Sequence, residues 1–466
     1  MFEALKWSKY NFTTYDQEDN LIIYNFLNGK PSLTKIMKPD VEQFKKMFLT
    51  SKEIHISLWE KYAAVAERLL EAGILVDVDT DENVLYDAKY YKEVFDNKLV
   101  LIILPTGKCN FNCSYCLESE QSFYRGAMTV KSQNAILKFV QKQIHHHNEL
   151  QVSWFGGEPL LEPQVIKYLS ENFINICKAR LIPYSAQITT NGYLLDDDTF
   201  DMLYKLKIYN YMITVDGFAE QHDKQRFTHG GKGTYNVIMQ NLLRIRDNKK
   251  YKFAHINIRV NITKSVLDIL DNFIFFLESL FSDDPRFSFT FVPAKNYSNG
   301  DNVDEDIFVD SEKVTSHLLK NKVYSNKLYP ENLMSHLIAP GQGCSSALKN
   351  SYVITPDLKI FKCCAHYDMK SNNIGHIDSA GNLIIDETLH NKWYLANKFV
   401  KKTTDACRDC FYMPACPNSG KNCPAQYLMQ GSKAAFCPRR SDNFITALTE
   451  SVLYAVNKYP YITIAL

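Results

Sequence analysis

Long apolar runs are missing from this sequence: no stretch of 18 or more consecutive apolar residues occurs, so no helix is expected to span a bilayer. The opening residues, Met1 to Asn11, hold no basic segment followed by an apolar stretch, so no secretory signal is expected. An excess of one charge is missing too. Lys and Arg number 53 against 52 Asp and Glu, for a formal net charge of +1. That balance offers no electrostatic footing for nucleic acid or for an anionic membrane surface, and neither is expected as a partner. Cysteine, by contrast, is plentiful. There are 12 in 466 residues, with 45% hydrophobic content, so the chain is too long for a small disulfide scaffold. It can build about two to four domains. All the cysteines but Cys177 fall in two fields, which fits a cytoplasmic metalloprotein better than a secreted one.

The first field is Cys109-Asn110-Phe111-Asn112-Cys113-Ser114-Tyr115-Cys116. It follows the apolar run Leu99–Leu104, which reads as a buried strand. Pro105, Thr106 and Gly107 break that run into a loop. Three thiolates on one loop can hold three irons of a cubane cluster. No fourth cysteine is near in sequence, so one iron is left open for a small chelating molecule. A structural zinc site would draw on CxxC pairs and four protein ligands. The x3-x2 triplet with Tyr115 before its last cysteine favours iron–sulfur.

On this motif the sequence resembles the radical S-adenosylmethionine (SAM) enzymes, whose defining loop has the spacing Cys109-x3-Cys113-x2-Cys116. The resemblance implies a [4Fe-4S] cluster whose open iron takes the amino and carboxylate groups of SAM.

Between about residues 97 and 295, strand and helix patterns alternate. Strands are expected at Leu99–Leu104, Gln151–Phe155, Ala186–Thr190, Tyr211–Val215, His255–Val260 and Ser288–Val292. Helices are expected at Thr129–His147, Val165–Cys177, Thr199–Leu206, Tyr235–Ile245 and Val266–Leu280. Six such repeats predict an α/β fold, a partial (β/α)6 TIM-like barrel with right-handed crossovers. Barrels of this kind carry their chemistry on loops at the C-terminal strand ends. The other motifs follow such ends: Gly156-Gly157-Glu158-Pro159, Thr190-Asn191-Gly192, Thr214-Val215-Asp216-Gly217 with His222, Asp223 and Arg226, and Arg259-Val260-Asn261. Read alone, each is a turn or a polar strand end. By resemblance, Gly156, Gly157 and Glu158 hold the amino group of SAM and Asn191 walls its pocket. Tyr115, Thr214 and Arg226 match further SAM contacts, Tyr115 at the adenine end. His145, His146 and His147 point about 100° apart on a helix and read as a solvated helix end. Cys177 reads as a core residue.

In residues 1–96, Leu21-Ile22-Ile23-Tyr24 and Ser32–Ile36 flank Asn28-Gly29 and predict a hairpin. Helical spacing follows at Asp40–Phe48 and Leu58–Ala72, with Gly73 as a C-cap and Leu75–Val78 as a strand. This order resembles the small winged-helix-like domains that bind leader peptides by strand addition. A structural cap on the barrel is the alternative.

After a linker at 296–340, residues 341–466 hold the second field: Cys344, Cys363, Cys364, Cys407, Cys410, Cys416, Cys423 and Cys437. Glycine and proline crowd it, so metal would supply its stability; zinc ribbons are one way to do so. The segment resembles the SPASM extension of radical SAM enzymes, which houses auxiliary [4Fe-4S] clusters. Carried over, Cys407, Cys410, Cys416 and Cys437 hold one cluster, and Cys344, Cys363 and Cys423 the other, for three clusters in all. The chain departs from that pattern at Leu358, where the family has glycine, and at Gly420, where it has cysteine. Only three clear ligands remain for the cluster of Cys344, Cys363 and Cys423, so it is expected either to keep an open iron that can bind a substrate thiolate or to use Cys364. Cys364 also stands where sulfatase maturases place an aspartate base, which makes it a candidate catalytic residue.

The resemblance implies a cytoplasmic oxidoreductase fed by a low-potential electron donor such as flavodoxin or ferredoxin. Reductive cleavage of SAM would give a radical that takes hydrogen from a ribosomally made precursor peptide, and a thioether or carbon–carbon crosslink would then close. The alternative within enzymes is an anaerobic sulfatase-maturating enzyme oxidising Cys or Ser to formylglycine. From another class, a zinc-knuckled binding protein would share the cysteines without the chemistry.

Overall fold

A computed structural model describes residues 4–49, 54–55, 59–116, 118, 121, 123–294, 307–309, 313–314, 317, 344–395, 409–416, 424–425, 428 and 443–464. The chain divides into two compact units. One comprises Met1–Phe95, Pro330–Ala347 and Tyr394–Leu466, and the other Asp96–Tyr329 and Leu348–Trp393. Among the described residues no helix is long and apolar enough to cross a membrane.

The first unit opens with β1 (Ala4–Trp7), β2 (Asn11–Tyr15), β3 (Leu21–Asn25), β4 (Thr34–Ile36), β5 (Ile54–His55) and β6 (Leu75–Asp77). β3 and β4 pair antiparallel across the turn at Asn28-Gly29, with Leu21 opposite Ile36. The run Leu21–Tyr24 is apolar at every position because both faces of β3 are covered. Leu21 and Ile23 pack with Phe44 and Leu69, whereas Ile22 and Tyr24 pack with Phe444, Leu448 and Val452. Gly73 takes φ +72° and closes helix Trp59–Glu71. Its N–H donates to Leu70 O and the Ile74 N–H to Leu69 O, both at 2.8 Å, an ending that favours glycine. β1, β2 and helix Glu82–Val94 are additions to the sequence reading.

The second unit holds β7 (Lys98–Ile103), β8 (Glu149–Trp154), β9 (Tyr184–Thr190), β10 (Ile208–Thr214), β11 (His255–Ile262) and β12 (Phe287–Pro293), then β13 (Ser351–Ile354), β14 (Lys359–Phe361), β15 (Asn373–Ile377) and β16 (Leu383–Ile385). They form one sheet in the order β12-β11-β10-β9-β8-β7-β13-β14-β15-β16. β7 to β12 are parallel neighbours in sequence order, so the six expected barrel strands are all present. Helices lie between successive strands, and four of them start on a local signal. Thr129, Asp196 and Thr263 cap three of them through their side chains, and Pro163 sits in the first turn of another. β13 pairs parallel with β7, Ser351 opposite Val100, and β14 to β16 follow antiparallel. Residues 351–385, which the sequence groups with the C-terminal cysteine field, are thus hydrogen-bonded into the barrel sheet. In the first unit, β17 (Ile462–Ile464) pairs parallel with β4.

The turn from β13 to β14 places Leu358 at φ +68°, where the Leu358 N–H donates to Thr355 O at 2.9 Å. A branched residue pays about 1–2 kcal/mol for that backbone. Glycine would remove this strain but add about 0.5–1 kcal/mol of unfolded-chain entropy. Leu358→Gly is therefore expected to raise stability by about 0.5 kcal/mol, read as a higher urea midpoint at unchanged slope. A lower midpoint would mean that the half-buried leucine side chain outweighs the strain.

Candidate functional site

The parallel sheet sends four loops to one edge. The loop after β7 carries Cys109, Cys113 and Cys116. The loop after β8 carries Gly156, Gly157 and Glu158, and the turn after β9 carries Asn191. β10 ends at Thr214, which is buried, and leads to Asp216 and Arg226.

Backbone hydrogen bonds pin the triplet loop. Asn112 N–H donates to Phe227 O at 2.8 Å, Ser114 N–H to Gln225 O at 3.0 Å and Glu158 N–H to Lys108 O at 2.8 Å. Phe111 N–H donates to Cys109 Sγ at 3.4 Å. The three cysteines form no disulfide. Burial pushes the Cys109 thiol up to about 12 and the Cys113 thiol up to about 11. As free thiols both are protonated at neutral pH, so a bound metal must displace those protons. Among the described residues no three His, Cys, Asp or Glu side chains converge on a point suited to a single ion. A cubane does not require that convergence, because its irons sit at separate corners.

The glycine pair is required by close backbone contact. A Cβ on Gly156, which takes φ +117°, would lie 2.6 Å from Thr106 O, and one on Gly157 would lie 2.2 Å from Lys108 O. Glu158 is fully buried. Its carboxylate accepts from Leu160 N–H at 3.0 Å, the Thr190 hydroxyl at 2.8 Å and Asn191 N–H at 2.7 Å. Burial raises this carboxyl, and those hydrogen bonds oppose the rise. Asn191 Nδ2 donates to Asn110 Oδ1 at 2.7 Å. Glu158 therefore braces the β9 turn, and the turn in its own right holds the triplet loop.

Beyond β10 lies a buried polar knot. Asp216 is 0% and Arg226 8% exposed. The Tyr115 hydroxyl donates to Asp216 Oδ2, and Asn261 N–H donates to Asp216 Oδ1 at 2.7 Å. Arg226 donates to the Tyr115 hydroxyl at 3.0 Å. His222 Nδ1 accepts from Asp216 N–H at 3.1 Å, and its Nε2 bonds Thr234 Oγ1 at 3.1 Å, which holds the turn. Burial pushes Asp216 up, and the Arg226 charge is the largest influence pulling it down. Among the described residues, Arg226 Nε is buried without a hydrogen-bond partner. A guanidinium N–H left free near Cys113 suits an anionic group such as a carboxylate. The thiols, the glycine cradle and this donor together fit an iron–sulfur cluster with SAM.

Residues 103–269 match the Radical SAM superfamily. The chain carries a radical SAM domain. Its α/β fold with a large parallel sheet is the partial TIM-like barrel of that superfamily. Over 154 residues the chain is 30% identical to a serine-type anaerobic sulfatase-maturating enzyme of Bacteroides thetaiotaomicron, covering 32% of this chain and 36% of that protein. It is 24% identical over 346 residues to a cysteine-type anaerobic sulfatase-maturating enzyme of Clostridium novyi, covering 68% and 86%. The chain spans about a third of the length of the first curated relatives it matches. Its fold is similar to that of anSMEcpe with bound AdoMet and Cp18Cys peptide, with a TM-score of 0.57, 18% identity, and coverage of 78% of this chain and 97% of that one.

Outside the radical SAM domain, Cys363 and Cys364 follow β14. Ala365 N–H donates to Cys363 Sγ at 3.4 Å, and Asn372 Oδ1 accepts from Cys363 N–H at 2.8 Å. Cys344, Cys410 and Cys416 belong to the other unit, where Cys410 and Cys416 pack against the cluster that contains Phe26 and Leu448. Cys407, Cys423 and Cys437 lie outside the described residues. Sequence reasoning did not single out Asn110, Glu118, Gln121 or Tyr367. Asn110 lay inside the motif, and a carboxylate two residues past Cys116 was the one local hint of Glu118.

Proposed function

We propose that the chain is a radical SAM maturase acting on a peptide or protein substrate. More narrowly, it closes a thioether or carbon–carbon crosslink in a ribosomally made precursor peptide. The observation that carries this reading is one sheet edge, inside the matched domain, that brings together three cysteines and a free buried arginine N–H. In this reading Cys109, Cys113 and Cys116 hold a [4Fe-4S] cluster. Arg226 orients the carboxylate of SAM, while Tyr115, Asp216 and Asn261 hold Arg226. Gly156 and Gly157 give the backbone approach, and Thr214 and Asn191 line the pocket. When bound, the cluster and SAM supply one-electron cleavage of a sulfonium and hydrogen abstraction from an unactivated C–H bond. Cys344, Cys363 and Cys423 serve one auxiliary cluster, whose fourth iron is open to a substrate thiolate or bound by Cys364, and Cys407, Cys410, Cys416 and Cys437 serve a second.

A peptide substrate is supported by the sulfatase-maturating names of two relatives and by the peptide bound in a protein of similar fold. Crosslinking is favoured over formylglycine formation because Cys364 stands where sulfatase maturases carry aspartate. Residues 1–96 take the leader of the precursor, and a flavodoxin or ferredoxin supplies the electron. The test is protein purified under nitrogen, assayed for iron, acid-labile sulfide and deoxyadenosine release with SAM and dithionite. About twelve irons per chain with deoxyadenosine are expected. Zinc in place of iron, with no deoxyadenosine, overturns the reading.

A further inference from the structure

The segment that leaves the triplet loop is clamped onto the segment after β14, within one unit. Gln121 Nε2 donates to Ala365 O at 2.8 Å, and its Oε1 accepts from Tyr367 N–H. Phe123 stacks on Tyr367 with ring centroids 4.4 Å apart. Arg125 lies over Phe123 at 4.9 Å and donates to Gln121 O at 3.0 Å and to Glu118 O. At this clamp two polar side chains are left incomplete. Glu118 and Tyr367 are each 4% exposed, and among the described residues neither Glu118 Oε1 nor the Tyr367 hydroxyl has a hydrogen-bond partner. The Tyr367 phenol lies within electrostatic reach of Glu118, Cys363 and Cys364.

A buried polar atom without a partner destabilises the fold, and native proteins keep few of them. Two at one loop contact, between the cysteine fields of this unit, ask what completes them. Among the described residues, Gln121 and Arg125 make the hydrogen bonds of the clamp given above, and none of these uses Glu118 Oε1 or the Tyr367 hydroxyl. A carboxylate oxygen accepts and a phenol donates, and that pairing matches the N–H and C=O of one amide. We infer that Glu118 and Tyr367 form a substrate subsite that receives an amide group of the peptide beside its reacting residue, next to Cys364. The inference rests on the peptide-maturase reading.

Two measurements test it. The first is thermal unfolding of the cluster-loaded protein under nitrogen, for wild type, Glu118→Met and Tyr367→Phe. A subsite predicts an unfolding temperature held or raised, because an unpartnered buried atom is removed. A clear drop in both variants would make the pair an internal support and end the proposal. Tyr367→Phe is the conservative member should Glu118→Met not fold. The second uses N-acetyl-alanine N-methylamide, deuterated on the alanine, with SAM and dithionite, and reads the deuterated share of the deoxyadenosine. The share is expected to fall about tenfold in each variant, and likewise in wild type given the N,N-dimethylamide. Loss with the dimethylamide identifies the backbone N–H as the group received. Equal shares in wild type and variants, or no deuterium transfer in a wild type that makes deoxyadenosine, count against the subsite. No deoxyadenosine at all in wild type defeats the maturase reading instead, and the unfolding temperatures then still decide whether the pair is a support.

Discussion

Replacing Gly157 with alanine is expected to cut deoxyadenosine formation about a hundredfold or more and to strip iron from the triplet loop. The added Cβ would lie 2.2 Å from Lys108 O and 2.4 Å from Lys108 C. Both are backbone atoms, so no rotamer change relieves the clash. The same approach places Glu158 N–H 2.8 Å from Lys108 O, and moving the β8 loop away breaks that bond. Lys108 adjoins Cys109, so the shift falls on the first thiol of the triplet. Overpacking of this kind costs about 1–3 kcal/mol. That is enough to move a loop but too little to unfold a domain of this size, so the variant should remain folded with a displaced site. Gly230→Ala is the control, since its Cβ would meet nothing nearer than Thr228 Oγ1 at 3.8 Å. Iron content and deoxyadenosine yield check the outcome. Wild-type iron and rate in Gly157→Ala would show that the loop contact has no part in holding the cysteines.

The barrel was legible because its signals are local. β7 and β11 are runs buried at nearly every position, while β8, β9 and β12 alternate buried with less buried residues. Helices between the strands carry their own periodicity, and the alternation of strand and helix implies parallel pairing. The triplet was legible for the same reason, since three ligands lie within eight residues. Ile144–His146 form a 3-10 turn that ends a helix, with His145 against Arg180 and His147 against Gln143 O, as the reading of a helix end implies. Cys177 is buried in the core. What the sequence hid is non-local. Nothing near Ser351–Ile354 announces that it will pair with β7, some 250 positions earlier, because register between distant parallel strands leaves no local mark. The clamp of Gln121 on Ala365 and Phe123 on Tyr367 is hidden for the same reason, since it joins residues more than 240 positions apart. Leu358 was noted as a departure from glycine, yet the chain still adopts the left-handed turn there.

Arg226→Leu is expected to destabilise the chain by about 3–5 kcal/mol and to weaken SAM binding at the same time. The stability loss arises at Asp216. That carboxylate is fully buried and accepts from Tyr115 and Asn261. Two hydrogen bonds do not replace its hydration, and the nearby guanidinium supplies the compensating charge. Burial already lifts the folded Asp216 above the ordinary 3.8, with Arg226 as the chief restraint, and removing the restraint lifts it further. The sign of the pH dependence follows. A carboxyl raised on folding binds more protons folded than unfolded, so stability falls as pH rises from 3.8 through the raised folded value. In the variant that window extends to higher pH, so its deficit relative to wild type should be large near about pH 8 and shrink toward about pH 5. Urea midpoints at both values measure this, and Asp216→Asn in the Arg226→Leu background should recover part of the loss. A deficit equal at both pH values, or no recovery in the double variant, would place the cost in lost packing of the arginine stem and not in an uncompensated charge.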